Sequence, residues 1–266
     1  MSNWVPVNEN HAISIMAAFV EFANPLPDKV IKTCLSSLDP LARDAGLTHA
    51  SRTSRLQIQF SEDGTPTQDT NLAGQMFTRR SDAPEEGAGL GRAIEQVSID
   101  AGALIYRTWD YISWEWQEDR IVSLLDPLIK ICSPVVSFQS IGLEYVDRFW
   151  FDGDPANADI GALLRSDSRL VAPHVFHAPN LFHSYTGAFV DGTESGRKLQ
   201  AIRIDASDED ERRWVSIATR QELRITGDLP ENPDAFAVFD EAHSDLKALL
   251  SEIITTEQAQ RIYLEG

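Results

Sequence analysis

The run Ile13–Phe22, ISIMAAFVEF, is apolar at most positions and stops at the turn signal NPLPD, so it predicts a strand. After Pro27 and Asp28 the period changes. Val30, Ile31, Leu35 and Leu38 recur at helical spacing, which gives the chain a β-α opening. Leu56, Ile58 and Phe60 then alternate with polar residues as a strand would. The following GTPTQDTNLAGQ is turn-like in composition and without period, so it reads as mobile, with MFTRRS a short strand behind it. RAIEQVSID and ALIYRTWDY alternate again and meet near Gly102, as the arms of a hairpin do. In SWEWQEDRIVSLLDPLIKICS, Ser113 stands at an N-cap position and Trp116, Ile121, Leu124, Leu125 and Leu128 form an apolar stripe, with Pro127 marking a kink. VVSFQSIGLEYVDRFWFDG returns as a long strand.

The rest of the chain continues more loosely. ADIGALLRSDS has helical spacing, LFHSYTGAFVDG and RKLQAIRIDASDEDE read as strands around the turn GTESG, and RRWVSIATRQELRI reads as another strand. DAFAVFDEAHSDLKALLSEIITTEQAQRIYLEG predicts a long C-terminal helix with a break at TTE. This order of elements predicts an α+β fold of mostly antiparallel sheets with packed helices. The expected division is into two loosely similar halves, residues 1–153 and 154–266, or one continuous domain. No short-period repeat is present, which argues against a solenoid or propeller.

Charge sharpens this picture. The 266 residues carry 41 acidic and 23 basic side chains, for a net charge of −18. Such a surface repels phosphate backbones, so direct nucleic-acid binding is not expected. The acid gathers at SEDG, SDAPEEG and DASDEDE and across residues 228–245, which hold no Lys or Arg. These stretches read as solvated loops and helix faces, or as a docking surface for a basic partner. The apolar run at the start is too short to span a bilayer and has no basic segment before it, so a cytoplasmic location and no membrane partner are expected. Cys34 and Cys132, embedded in apolar helical segments, suit buried reduced thiols.

Candidate chemistry is sparse. His174, His177 and His183 fall within ten positions of a chain with only six histidines, and Asp191 follows. A turn at APN would fold these groups together as metal ligands, yet no HExxH or paired CxxC accompanies them and apolar residues and prolines separate them. Structural or partner-contact histidines are the expected reading, and no metal or other cofactor is expected. Gly87, Gly89 and Gly91 lack both the spacing and the Lys-Ser or Lys-Thr of a phosphate loop, and two glutamates precede them, so they read as a connector. No serine sits in GxSxG, neither cysteine has a basic setting, and the acid pairs Glu115/Glu118 and Asp240/Glu241 read as solvated helix faces.

Aromatic residues are the more distinctive feature. YRTWDYISWEWQ packs Tyr106, Trp109, Tyr111, Trp114 and Trp116 together, and rings of this kind build cores or anchor binding surfaces. In GLEYVDRFWF, alternation puts Leu143, Tyr145, Asp147 and Phe149 on one face and Glu144, Val146, Arg148 and Trp150 on the other. Whichever face is buried carries a charge that needs a partner, which marks this strand as an ion pair or a site. The expected binding residues are therefore Tyr111, Trp114, Trp116, Glu144, Tyr145, Asp147 and Arg148.

Four segments in order, NHAISIMAAFVEF, EQVSIDAGALIYRTWDYISWEWQEDRI, SIGLEYVDRFWF and VFDEAHSDLKALLSEIITTEQ, resemble a sporadically distributed family of bacterial proteins of about this length whose biochemical function is not established. Gly142, Leu143, Tyr145 and Arg148 agree with the family's Gly-Leu-Arg-Tyr-Ile-Asn-Arg strand, whereas Glu144 and Asp147 stand where it has Arg and Asn. The scattered distribution implies accessory genes, of the phage-defence or toxin-antitoxin kind. Residues and resemblance together favour a non-catalytic protein-binding or regulatory protein with a basic protein partner, and an unpaired sheet edge able to form a homodimer. The alternatives are a metal-dependent hydrolase built on the three histidines, and an acidic mimic of nucleic acid that inhibits a nucleic-acid-binding partner.

Overall fold

A computed structural model describes residues 3–60, 66–84, 91–177, 181–193, 195–227 and 231–264. The acidic stretch SEDG, the glycines Gly87 and Gly89, and the turn at 178–180 lie outside the described residues. Along the chain run β1 (Trp4–Pro6), β2 (Ile13–Phe22), α1 (Asp28–Asp44), β3 (His49–Phe60), β4 (Pro66–Pro84), β5 (Gly91–Asp100), β6 (Ala103–Thr108) and α2 (Trp114–Cys132). Then come β7 (Phe138–Phe151), three short 3-10 turns, β8 (Phe182–Thr193), β9 (Gly196–Glu209), β10 (Arg212–Ile225), α3 (Ala235–Ile253) and α4 (Thr256–Arg261). The fold is α+β, and every strand pair whose register is described is antiparallel. None of the described helices is long and apolar enough to cross a membrane.

The chain gathers into two compact units. One comprises Ala18–Ser140 and Asp228–Asn232, the other Met1–Ala17, Ile141–Gly227 and Pro233–Gly266. We call them the α1/α2 unit and the α3 unit.

In the α1/α2 unit, β3, β4, β5 and β6 pair in sequence order, and α1 and α2 pack on each other and on the sheet. Asp100 shapes the β5–β6 hairpin by accepting the backbone N–H groups of Gly102 and Ala103 at 2.7 and 3.0 Å. Ser113 caps α2 by accepting from the Trp116 N–H. Ile31, Leu38, Phe77, Val97, Leu104, Ile121, Leu125 and Phe138 fill the core. Cys34 and Cys132 are buried free thiols whose Sγ atoms lie 3.5 Å apart. Buried among the apolar side chains is one ionic node. Glu95, fully buried, accepts from Arg79 Nε at 2.9 Å, from Arg120 Nε and Nη2 at 2.9 and 2.8 Å, and from the Tyr106 hydroxyl at 3.0 Å. Burial and the adjacent Glu95 carboxylate push the Tyr106 hydroxyl far above its ordinary pKa.

Strand β4 corrects one expectation. GTPTQDTNLAGQ is not a mobile spacer before a short strand: from Pro66 onward it belongs to β4, paired from end to end with β3 and, from Gly74, with β5. The backbone ladder with β3, joined by that with β5 from Gly74, outweighs the weak strand preference of its Asp, Asn and Gly residues. Gly74 has its own reason, because a Cβ there would stand 2.6 Å from the Ile99 carbonyl oxygen.

In the α3 unit the strand order is β7, β10, β9, β8, with β1 on β7, and α3 packs against β10. Asp234 caps α3 by accepting from the Phe236 N–H at 3.0 Å, and Phe239, Leu246, Leu250 and Ile253 face inward with Leu143, Phe149, Ile217 and Leu223. The expected helix ADIGALLRSDS is absent apart from a 3-10 turn at Ile160–Ala162. Leu163 and Leu164 are both fully buried, as adjacent residues of a helix can be, but their backbone is claimed elsewhere. Thr255 N–H bonds the Leu163 carbonyl at 2.9 Å, Arg165 N–H bonds that of Ile253 at 2.9 Å, and Leu164 forms a bridge with Ile254.

The β9–β10 hairpin turns through Asp210 and Glu211, both at positive φ (52° and 63°). A tight hairpin requires this twist, and a residue with a Cβ adopts it at a cost of about 1 kcal/mol. Glu211→Gly is therefore expected to raise stability by several tenths of a kcal/mol to about 1 kcal/mol, seen as a higher midpoint in chemical denaturation.

Candidate functional site

Alternation along the strands of the α3 unit gives its sheet two unlike faces. Against α3 lie Tyr145, Asp147, Thr219 and Gln221. The Tyr145 hydroxyl is 3.0 Å from His243 Nδ1, and Lys198 bridges Glu241 and Asp245 at 2.7 and 3.1 Å. Asp147 is 1% exposed, and its Oδ1 has no hydrogen-bond partner among the described residues. Sequence alternation demands a partner for whichever charge is buried. No such partner for Oδ1 is present among the described residues; burial instead raises the carboxyl pKa to about 7, so the group keeps its proton below neutral pH.

The opposite face is open. It carries Glu144 and Arg148 from β7, His183, Tyr185 and Phe189 from β8, Arg197, Leu199, Ala201 and Arg203 from β9, and Trp214, Ala218, Arg220, Glu222 and Arg224 from β10. Registers Tyr185↔Arg203, Arg203↔Ala218 and Ala201↔Arg220 bring β8, β9 and β10 side by side, and the small side chains Ala201 and Ala218 leave a hollow of about 280 Å³ between the arginines. Tyr185 is 67% exposed, and the side chains of Arg203 and Arg224 are 49% and 52% exposed.

An ion-pair lattice fixes the guanidinium planes. Glu222, almost fully buried at the floor, accepts from Arg220 Nε at 2.8 Å and from Arg224 Nε at 2.5 Å, and Arg220 also approaches Glu144 at 3.7 Å. Arg203 pairs with Asp205 at 3.1 Å. Arg148 bonds Glu209 at 2.8 Å while its guanidinium lies 4.4 Å from the Trp214 ring, and that hydrogen bond holds the Glu209 carboxyl below its usual range. Arg212 stacks over Trp150 at 4.4 Å and Arg197 over Phe189 at 4.6 Å. The face thus offers oriented donors and aromatic planes, the means by which surfaces recognise carboxylates and apolar side chains.

The other expected site residues are distributed as follows. Tyr111, Trp114 and Trp116 sit half-buried at the start of α2 in the α1/α2 unit, with the Arg120 guanidinium 5.5 Å from the Trp116 ring. His174 and His177 are exposed around a 3-10 turn, and His183 Nδ1 is hydrogen-bonded to Asp205 on the open face. Among the described residues, no group of three or more His, Cys, Asp and Glu side chains is placed to hold a metal ion. Arg197, Arg203, Arg220 and Arg224 were not expected. Their signal was available as basic positions of one strand parity, six apart in RKLQAIRID and four apart in ATRQELRI, masked by the chain's overall negative charge.

No protein-family model matches the chain, and no curated protein matches it. The family resemblance rests on the four segments quoted above.

Proposed function

We propose that the chain is a non-catalytic binding protein that docks an extended polypeptide segment of a protein partner on the open face of the α3 unit. The observation carrying this reading is the row of ion-paired arginines and exposed rings around the hollow between Tyr185 and Arg224. Net charge suggests a basic partner, but the face itself favours a segment bearing carboxylates between apolar side chains. A nucleic-acid strand fits less well, because Glu144, Glu222, Asp205 and Glu209 interrupt the arginines and the whole chain is at −18. A regulatory role in an accessory system, implied by the family resemblance, is compatible with such a surface.

Fluorescence anisotropy with three labelled probes tests the proposal. These are a peptide alternating Glu and Phe, the same peptide with Lys for Glu, and a single-stranded oligonucleotide. The Glu peptide is expected to bind, to weaken as salt rises, and to lose roughly tenfold in affinity in Arg203→Glu, about 1.4 kcal/mol. Preference for the Lys peptide or the oligonucleotide, or indifference to Arg203→Glu, would overturn it.

A further inference from the structure

Cys34 stands near the middle of α1, and Cys132 is the last residue of α2, 98 positions later. The two helices pack on each other, both thiols are fully buried, and the sulfurs meet at 3.5 Å. A disulfide brings its sulfurs to about 2.05 Å, so a closing movement of about 1.5 Å separates this pair from a covalent bond. The hydrogen bond between them lowers the pKa of Cys34 and raises that of Cys132, which marks Cys34 as the thiol that ionises first and attacks.

Burial keeps an oxidant from these sulfurs, but Cys132 lies where α2 ends and the chain leaves through residues 133–137. That turn folds back on the helix end, with the Val135 and Val136 N–H groups bonded to the Cys132 carbonyl at 2.8 and 3.1 Å. Asn232, which belongs to the same unit, fastens it. Its Nδ2 donates to the Ser133 carbonyl, the Ser133 hydroxyl and the Val136 carbonyl at 3.2, 3.1 and 3.0 Å, and its Oδ1 accepts from the Phe138 N–H at 2.7 Å. The turn and Asn232 line a cleft of about 450 Å³. Helix ends open at lower free energy than helix middles, so this is the side from which a small solute reaches the thiols.

We propose that Cys34 and Cys132 are a latent disulfide, closed by a peroxide that enters when the turn held by Asn232 opens, and that the bond locks α1 to α2. The Cys34 thiolate attacks one peroxide oxygen and breaks the O–O bond. Cys34 becomes a sulfenic acid, and the departing hydroxide takes up the proton Cys34 released, leaving as water. The Cys132 sulfur then attacks the Cys34 sulfur: the S–S bond forms, the S–O bond breaks, and the hydroxyl departs with the Cys132 proton as a second water. Two thiols are oxidised and one hydrogen peroxide is reduced. Because the closed loop spans 98 positions, the bond restricts the unfolded chain and stabilises the folded one. None of this depends on what the open face of the α3 unit binds.

Mass spectrometry of the full chain, reduced and then exposed to hydrogen peroxide, tests this, with far-UV circular dichroism confirming the fold of each variant. Wild type is expected to lose two hydrogens per chain, to yield a peptide pair joined through Cys34 and Cys132, and to gain a higher urea midpoint that dithiothreitol reverses. Asn232→Asp, or Asn232→Ser should the first variant fail to fold, is expected to form the bond roughly tenfold faster, the effect of losing about one hydrogen-bonded contact from the closed turn. Chains that stay reduced, that gain oxygen at a sulfur without cross-linking, or that join to other copies would overturn the proposal. So would a cross-linked chain no more stable than the reduced one, or an oxidation rate that the change at Asn232 leaves unaltered.

Discussion

Asp147→Asn is expected to abolish most of the pH dependence of stability between about pH 4 and pH 7. In the folded chain this carboxyl is buried against α3, with its pKa raised by desolvation from 3.8 to about 7. Across that window the native state keeps a proton that the unfolded chain has released, so stability falls as pH rises. The favourable contribution is complete below the unfolded pKa and is lost as pH passes through the folded one. A shift of about three pH units corresponds to roughly 4 kcal/mol, an upper figure because the site can relax around the charge. Asparagine has the same shape and no charge. Above pH 7 the variant should be more stable than wild type by a few kcal/mol, less the cost of burying an amide, and near pH 4 the two should be similar. Urea titrations of both proteins at pH 4.5, 6 and 8 decide it. Parallel pH profiles would show that Asp147 is solvated or paired in solution.

Glu95→Ala is expected to have the opposite sign and similar size. Its carboxylate is fully buried and receives Arg79, Arg120 and Tyr106, while the two arginine side chains are only 29% and 20% exposed. Removing it strands two largely buried cations, while the Tyr106 hydroxyl keeps Gln117 Oε1 at 2.8 Å, for a loss of about 3–5 kcal/mol. Glu95→Gln should lose less, because its amide oxygen still accepts from a guanidinium. Arg120→Ala combined with Glu95→Ala should cost less than the sum of the single changes, since the pair acts as a unit. A loss below about 1 kcal/mol in Glu95→Ala would mean that water compensates for the node.

These two residues also show how far sequence reading reached. The β5–β6 hairpin, the Ser113 cap and the α2 stripe were legible because each depends on local chemistry: a side-chain acceptor at a turn, an oxygen at an N-cap, a period of 3.6. Glu95 was in plain view as the charged member of the alternating set Glu95, Val97, Ile99, but its partners come from β4 and α2 and no local pattern names them. For β7, alternation showed that both faces carry charge. Which one is buried depends on α3, whose residues lie some ninety positions later, so Asp147 and Arg148 could not be ranked. The open face was missed because a net charge averages over the molecule, whereas β7, β9 and β10 collect arginines from separate stretches onto one side of a sheet. The buried pair Leu163 and Leu164 imitated a helix until Thr255 and Ile253 claimed their backbone.

The central claim is that the open face of the α3 unit receives a polypeptide partner. Photo-crosslinking in the native host, with a photoreactive phenylalanine in place of Tyr185, tests it most directly, and the same probe at exposed Ile112 in the α1/α2 unit serves as control. The account predicts a discrete crosslinked protein at position 185, absent at 112 and lost when Arg203→Glu is added. Equal crosslinking at both positions, or a product that survives Arg203→Glu, would contradict it.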